Sequence, residues 1–175
     1  NNVHLTNTSQ LGDAVVLNAL AIRPGKPLDV EGVSEALMRL SALECFGIIT
    51  DRFERHEGQG ILFVDTPDTR GGKGSLQVGV NFTDDLEGDV TYGLTLRHQL
   101  LPLNHLGGEW QNVVALGSTF LASTELYQPL EATMTWFASA GASLDRTQQR
   151  LWIDGEAVAE YQLKRAQARA TFGRV

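Results

Sequence analysis

Two kinds of hydrophobic spacing divide the chain. In the first 70 residues, apolar positions recur every three or four residues in two stretches and alternate in three short ones, whereas from Ser75 onward they alternate almost throughout. A spacing of three or four predicts a helix with one buried face, and alternation predicts a strand with two unlike faces. We therefore expect an α+β chain whose character changes near the glycine-rich segment 70–74.

The first part predicts three strands and two helices in the order β-α-α-β-β. The strands are predicted at 2–7, 48–55 and 60–65, and the helices at 12–22 and 29–47. Thr8 and Ser9 suit the cap region of the first helix, and Asp29 suits the cap of the second. Proline and glycine in 23–27 predict the turn between the helices, and 57–59 predicts a hairpin turn. Strands on one side of two helices form a small two-layer sandwich.

The second part predicts about six antiparallel strands, several of them long. They are predicted at 76–83, 90–97, 110–118, 120–128, 134–143 and 157–172. Several match the ~9–11 residues that a tilted strand needs to cross a bilayer. One face of each is apolar, and the other is mostly Gly, Ser, Thr, Gln and Asn with few charges, such as Arg97, Glu109 and Glu125. This pattern favours a wet lumen behind a lipid-facing exterior.

Aromatic residues near the predicted strand ends are typical of a membrane-interface girdle. They are Tyr92, Trp110, Tyr127, Trp136 and Tyr161. Six strands are fewer than the ~8 of the smallest transmembrane barrels, and an open sheet would leave unpaired backbone groups in lipid. We therefore expect the segment to be a piece of a longer protein, with the missing strands coming from the rest of that chain or from a second copy.

Composition narrows the function classes. The chain has 175 residues, a net charge of −7 and a pI near 5.0, which argues against a nucleic-acid binder because such proteins are normally basic. The single cysteine, Cys45, excludes a disulfide scaffold. It lies in an apolar helical pattern, so a buried and inert thiol is expected.

Candidate chemistry is sparse, and no catalytic, cofactor-binding or metal-binding residue is predicted. The histidines have no metal-ligand spacing, and the serines lack a partnered His–Asp pattern. The acidic segment 84–89 is interpreted as a solvated hairpin loop, with recruitment of divalent cations to lipopolysaccharide phosphates as the alternative. A basic group near the end is interpreted as lumen-facing, with polyanion binding as the alternative. The histidines are His4, His56, His98 and His105, the serines are Ser118, Ser123 and Ser139, and the basic group is Lys164, Arg165 and Arg169.

Several segments resemble a known bacterial family. Segment 24–29 (PGKPLD), followed by 37–40 (LMRL), Phe46-Gly47 and a strand pair, resembles a POTRA domain. Segment 103–110 (LNHLGGEW) resembles the first tight periplasmic turn of surface-antigen-type barrels, and 125–130 (ELYQPL) resembles a segment where such barrels end a strand and turn. Together they resemble the carboxyl-terminal region of patatin-like phospholipases fused to their own transporter, a type V secretion arrangement.

The resemblance implies a domain organisation and a set of partners. Residues 1–68 would be a periplasmic POTRA-like domain, 69–74 a linker, and 75–175 a partial outer-membrane barrel in a Gram-negative bacterium. The module would secrete or display an upstream patatin-like passenger and would not itself be an enzyme. Its partners would be outer-membrane lipid, that passenger, the barrel-assembly machinery and a further copy through open strand edges. A strand edge carried by Ile61 and Phe63 would guide an extended segment by β-augmentation.

Two other functions remain open at this point. In one of them, the parent protein is a patatin-like phospholipase, which is a lipid acyl hydrolase with a Ser–Asp dyad. Its catalytic residues would then lie outside this chain, because the chain contains no Gly-x-Ser-x-Gly elbow. Alternatively, the chain is a soluble α+β ligand-binding protein with Trp136 or Trp152 lining a pocket. Partition into detergent and heat-modifiable gel mobility separate this last function from the first.

Overall fold

The computed structural model describes residues 2–21, 30–43, 45–56, 59–68, 74–84, 90–153 and 156–175. Several sequence predictions lie outside these residues. They are the turn at 23–27, the cap at Asp29, most of the hairpin turn at 57–59, the linker residues 69–73 and the acidic residues 85–89.

The first part of the chain is a three-stranded sheet with two helices. Its elements are β1 (Asn2–Asn7), α1 (Asp13–Leu20), α2 (Val30–Ser41), β2 (Thr50–His56) and β3 (Gln59–Thr66). The strand order is β1-β3-β2, with β1 parallel and β2 antiparallel to the central β3. The predicted element order β-α-α-β-β is confirmed.

The core of this unit lies between the helices and β3. Val16 of α1, Leu40 of α2 and Val64 of β3 are fully buried, because each lies on the apolar face that the periodicity marks. Thr66 is also fully buried, and its hydroxyl donates a hydrogen bond to Asn7 Oδ1 at 2.9 Å. That bond removes the cost of burying an unpaired hydroxyl.

The helix boundaries differ from the prediction for identifiable reasons. Gly12, not Thr8 or Ser9, precedes α1, with no side-chain cap; its N–H instead donates to the His105 carbonyl at 2.8 Å. This bond ties the residue before α1 to a turn far away in the chain. The second helix ends at Ser41 rather than near Gly47, and the Ser41 hydroxyl bonds the Leu37 carbonyl at 2.9 Å. Such a side-chain bond competes with continuation of the helix.

The rest of the chain is one antiparallel sheet of six strands, and the predicted number is confirmed. Each strand pairs with the next along the chain. The strands are β4 (Gly74–Asp84), β5 (Val90–Leu100), β6 (Glu109–Gly117), β7 (Thr119–Pro129), β8 (Trp136–Ile153) and β9 (Glu156–Arg174).

The last two strands are longer than the sequence predicts. β8 has 18 residues and β9 has 19, and they pair from Trp136–Arg174 to Ile153–Glu156. The predicted strand at 134–143 begins two residues later, because Met134 has a positive φ of 54° and lies in the preceding turn. A tight turn at Gly117 joins β6 to β7; φ there is +143°, and a Cβ would collide with the Tyr92 carbonyl. Only glycine fits such a position.

Cys45 is buried, although it lies beyond the end of α2 rather than within a helix. Burial raises the pKa of its thiol from 9.0 to about 11. Because the thiolate is the reactive form, the folded protein keeps this cysteine inert at neutral pH.

We predict that Cys45 of the folded chain reacts with iodoacetamide at pH 9 at least about tenfold more slowly than an exposed thiol, since only a small fraction is ionised. The matched control is Ser41→Cys in a Cys45→Ala background, because Ser41 is exposed. Equal rates for the two cysteines would contradict the buried position.

The thiol of Cys45 keeps its proton to a higher pH in the folded state than in the unfolded state. The stability this thiol contributes is therefore present below pH 9.0 and is lost as the pH rises toward about 11.

Candidate functional site

The pairing register assigns each residue of the large sheet to one of two faces. Residues opposite each other on neighbouring strands share a face, so one row of partners reads Val78, Leu96, Val114, Ala122, Leu144 and Ala166. The next row but one on the same face reads Leu100, Trp110, Leu126, Ala140 and Ala170. We call this side the apolar face. It is exposed in large part, with Val80 80% and Leu76 67% accessible.

Three polar residues interrupt the apolar face in a single row beside Trp110. These are His98, Asn112 and Thr124. The indole N–H of Trp110 donates to the Thr124 hydroxyl at 2.8 Å, and Asn112 Nδ2 lies 3.5 Å from His98 Nδ1. The polar groups on this face therefore have neighbours to pair with.

Aromatic rings mark both ends of the apolar face. Trp136 stacks on Phe172 with ring centroids 5.4 Å apart at one end, and Phe82 pairs in register with Tyr92 toward the other. The predictions for Trp110, Trp136 and Tyr92 are confirmed as strand-end positions on this face. Tyr127 and Tyr161 lie in the opposite register, and Tyr127 packs against Phe137 at 5.3 Å. Their assignment to the girdle is wrong because the register places them on the polar face, opposite the other three rings.

The apolar face of β8 has a measurable height. Between Trp136 and Arg146 its outward positions are Ala138, Ala140, Ala142 and Leu144. Those ten or so residue steps cover about 33 Å of strand, or about 25 Å of depth at a tilt of ~40°. An apolar band of ~25 Å is the height found on transmembrane barrels.

The opposite face, which we call the polar face, is richer in hydrogen-bonding and charged side chains. Arg97, Glu109 and Glu125 all lie on it, as the alternation predicted. Gln99 Nε2 donates to Glu109 Oε1 at 2.9 Å. A groove of about 610 Å³ lies on this face, and its lining includes Gln111, Ser123, Glu125, Ser139, Ser143, Gln167 and Arg169.

The basic residues of β9 divide between the two faces. Arg165 and Arg169 lie in polar-face register, opposite Asp145 and Gly141. Lys164 lies on the apolar face, directly opposite Arg146. The prediction that all three would face a lumen is therefore wrong for Lys164, because a single step along a strand changes the face.

The candidate catalytic and metal residues do not converge. His4 packs against Phe63 at 5.3 Å in the small unit, His98 lies on the apolar face, and His105 lies in the turn between β5 and β6. The Ser118 hydroxyl accepts the Tyr92 N–H at 3.2 Å, which is a structural role. Among the residues that the structure describes, no group of three His, Cys, Asp or Glu could hold a metal ion.

The turn between β5 and β6 is built around Asn104. Its side-chain oxygen accepts the N–H groups of Leu106 at 3.0 Å and Gly108 at 3.3 Å, and its carbonyl accepts the Gly107 N–H at 3.0 Å. Asparagine suits such a turn because its short amide mimics a backbone partner.

Gln128 joins this turn to the end of β7. Asn104 Nδ2 donates to Gln128 Oε1 at 2.6 Å, and Gln128 Nε2 donates to the Pro129 carbonyl, also at 2.6 Å. The two segments of most distinctive sequence, 103–110 and 125–130, therefore meet at one end of the sheet. Their sequences gave no sign that they would contact each other.

The same end of the sheet packs against the small unit. Leu101, Leu106, Ala132 and Met134 pack on its buried core, in addition to the Gly12 to His105 bond. Gly107 has φ +84°, and a Cβ there would lie 3.0 Å from Met134 Cε and 3.2 Å from Leu11 Cδ2. We call this contact the junction. It fixes which end of the sheet lies next to the small unit.

The predicted augmentation edge at Ile61 and Phe63 is wrong. Both residues lie on β3, which pairs with β1 on one side and β2 on the other, so β3 has no edge to offer. The outer strands of the small sheet are β1 and β2. In the large sheet the outer strands are β4 and β9, and their described residues do not pair with each other.

Comparison with known proteins identifies the fold. No family model matches the chain, and no curated protein matches it. Among solved structures, the chain is similar to the crystal structure of BamA from Haemophilus ducreyi lacking POTRA domains 1–3, with a TM-score of 0.68 and 12% identity. The match covers 98% of this chain and 31% of that chain, so the chain spans about a third of its length. The fold is BamA-like. Within the described residues, no helix is both long and apolar enough to cross a membrane.

We predict that Asn104→Ala destabilises the protein by about 1–3 kcal/mol, because it leaves the turn N–H groups and Gln128 without their partner. Gln128→Ala should cost less, since the Asn104 oxygen still holds the turn. Thr133→Ala is the control, because its exposed hydroxyl bonds only that of Thr135 among the described contacts. Thermal unfolding of the protein in detergent measures the loss of stability in each of the three variants. If Thr133→Ala costs as much as Asn104→Ala, the turn does not have this role.

Proposed function

We propose that the chain is part of an outer-membrane β-barrel of the surface-antigen superfamily. Residues 75–175 supply its first six strands, residues 1–68 form a POTRA-like unit in the periplasm, and 69–74 link them. The observation that carries this proposal is the apolar face, about 25 Å high on β8 and bounded by aromatic rings. The BamA-like fold supports it.

The orientation follows from the junction. The small unit is mixed α/β with a buried core of its own, and it packs on the turns at 101–108 and 130–135. A folded unit of this kind belongs in water, and the resemblance of residues 1–68 to a POTRA domain favours the periplasmic side, so we propose that these turns lie at the periplasmic surface. The opposite ends of the strands, including the far half of the β8–β9 hairpin, then lie toward the outside of the cell.

The barrel has to be completed by strands beyond β4 and β9. A sheet edge in hydrocarbon leaves unpaired N–H and C=O groups, each costing several kcal/mol. We propose that the completing strands come from the rest of a longer chain or from a second copy. A stable six-stranded monomer in bilayers, measured by mass or sedimentation, would overturn this part.

The cargo of the module is an upstream domain. The resemblance of 103–110 and 125–130 to transporter-fused proteins favours a patatin-like lipase as that domain, with the module as its anchor and exporter rather than as a catalyst. A Gly-x-Ser-x-Gly motif upstream in the full gene supports this, and its absence from the gene contradicts it.

The small sheet offers β2 for contact with an extended segment. β2 is an outer strand and displays Phe53, which is 56% exposed, next to an Arg52–Glu54 ion pair of 3.2 Å. An added strand would form hydrogen bonds with the backbone of β2, and the alternating side chains would set the sequence preference for that strand. We propose β2 in place of Ile61 and Phe63 as the augmentation edge.

We predict that Ala142→Arg prevents stable folding in bilayers, whereas Ser143→Arg is tolerated. Ala142 lies near the middle of the apolar face and Ser143 lies beside it on the polar face. Arginine at the bilayer midplane costs about 2–4 kcal/mol on the lipid side, whereas a wet lumen accepts it. Insertion into lipid vesicles, followed by the shift in gel mobility on heating, measures the folded fraction.

Two outcomes would contradict the proposal. The first is a wild-type chain that stays in the aqueous phase with no heat-modifiable mobility, which favours the soluble ligand-binding protein. The second is equal folding of the two arginine variants in vesicles, which means that the two faces do not meet different solvents.

A further inference from the structure

A second groove lies on the apolar face near the end farthest from the junction. It has a volume of about 480 Å³. Its lining combines apolar side chains with two cations in apolar-face register, Arg146 and Lys164, and with the neighbouring Asp145–Arg165 pair, whose register is that of the polar face. The lining residues used below are Phe120, Leu144, Arg146, Lys164 and Ala166.

The two cations of this groove stand directly opposite each other. Arg146 and Lys164 are cross-strand partners of β8 and β9, and Arg146 also lies over the Phe120 ring at 6.0 Å. Like charges in directly opposed positions destabilise a sheet. Among the described residues, neither has a carboxylate within ion-pair distance on this face. An anion held between them would remove the repulsion.

The apolar part of the groove continues below the cations. Leu144 and Ala166 are the partners one step closer to the junction on the same face, and Leu144 is 56% exposed. A ligand that fits has an anionic head at Arg146 and Lys164 and hydrocarbon lying along Leu144, Ala166 and Phe120. A lipid with a phosphate head group has that form.

The position of the groove selects the leaflet, and this step rests on the proposed function. Arg146 lies about 25 Å in depth from Trp136, at the end of the band opposite the small unit. Cations at that level meet the head groups of the outer leaflet, and cations at an interface attract anionic lipid.

We propose that Arg146 and Lys164 form a binding site for the phosphate group of an outer-leaflet lipid, whose hydrocarbon packs on Leu144, Ala166 and Phe120. Arg146 supplies a planar donor pair that suits two phosphate oxygens, and Lys164 supplies a point charge. The site would hold lipid next to the β8–β9 hairpin and so anchor this part of the sheet at the outer surface.

The test uses the full-length protein in phosphatidylcholine nanodiscs that contain either lipid A or phosphatidic acid, with inorganic phosphate in the buffer as a separate arm. Native mass spectrometry counts the retained lipid, and titration gives its apparent affinity. We expect Arg146→Gln and Lys164→Gln each to weaken binding of the phosphate lipids by about tenfold, since each removes a charge-assisted hydrogen bond. Inorganic phosphate should compete only weakly, because it lacks the hydrocarbon.

The matched control is Arg174→Gln. Arg174 is also a cation beside an aromatic ring, 5.9 Å from Trp136, but lies at the junction end of the sheet. It should leave lipid binding within about twofold. An equal loss in Arg174→Gln would show general charge attraction and overturn the site, as would full competition by inorganic phosphate. A protein that inserts into nanodiscs but shows no preference for phosphate lipids refutes the site alone, whereas a protein that fails to insert refutes the proposed function.

Discussion

A backbone inside hydrocarbon has to satisfy every N–H and C=O group within the protein, and under the proposed function that requirement constrains the large sheet more than any other. Each of the six long strands pairs with its sequence neighbours, so the four inner strands are bonded on both sides. The backbone groups still without partners in the sheet are then those at the outer edges of β4 and β9. These two edges are the reason why a barrel of this type includes further strands.

The junction is a second constraint, because it holds the small α/β unit in a defined place beside the large sheet. The turn at 103–108 is held internally by Asn104, tied to β7 through Gln128, and bonded to the start of α1 through His105. One short segment therefore ends a strand pair, connects two hairpins and positions a helix. A substitution of Asn104 would therefore affect all three of these roles, because the contacts come from one turn that Asn104 holds together.

The sequence was most informative where a local pattern decides the structure. Alternation identified the six strands and their two faces, since the period of two follows directly from strand geometry. It missed the length of β8, because Arg146 interrupts the apolar series after Leu144, whereas the prediction for β9 ran through Lys164 and lies close to the observed bounds. The residue that precedes α1 and the central place of β3 were missed for another reason. Both depend on pairings between segments far apart in the chain, and periodicity carries no information on those.

Two of the three cations named on the apolar face each lie over an aromatic ring, one at each boundary of the apolar band. Arg174 lies over Trp136 at one boundary and Arg146 over Phe120 at the other. In the proposed membrane each cation would lie in the head-group region and the ring beside it at the edge of the hydrocarbon, so movement of the sheet in either direction would bury one of the cations. A band of about 25 Å between the pairs matches a membrane thinner than average, which is a property of the bacterial outer membrane. Lys164 has no equivalent at the Arg174 end of the β8–β9 pair, where the partner of Arg174 is Trp136. The extra cation is therefore not needed for vertical positioning alone, and this asymmetry favours a ligand between Arg146 and Lys164.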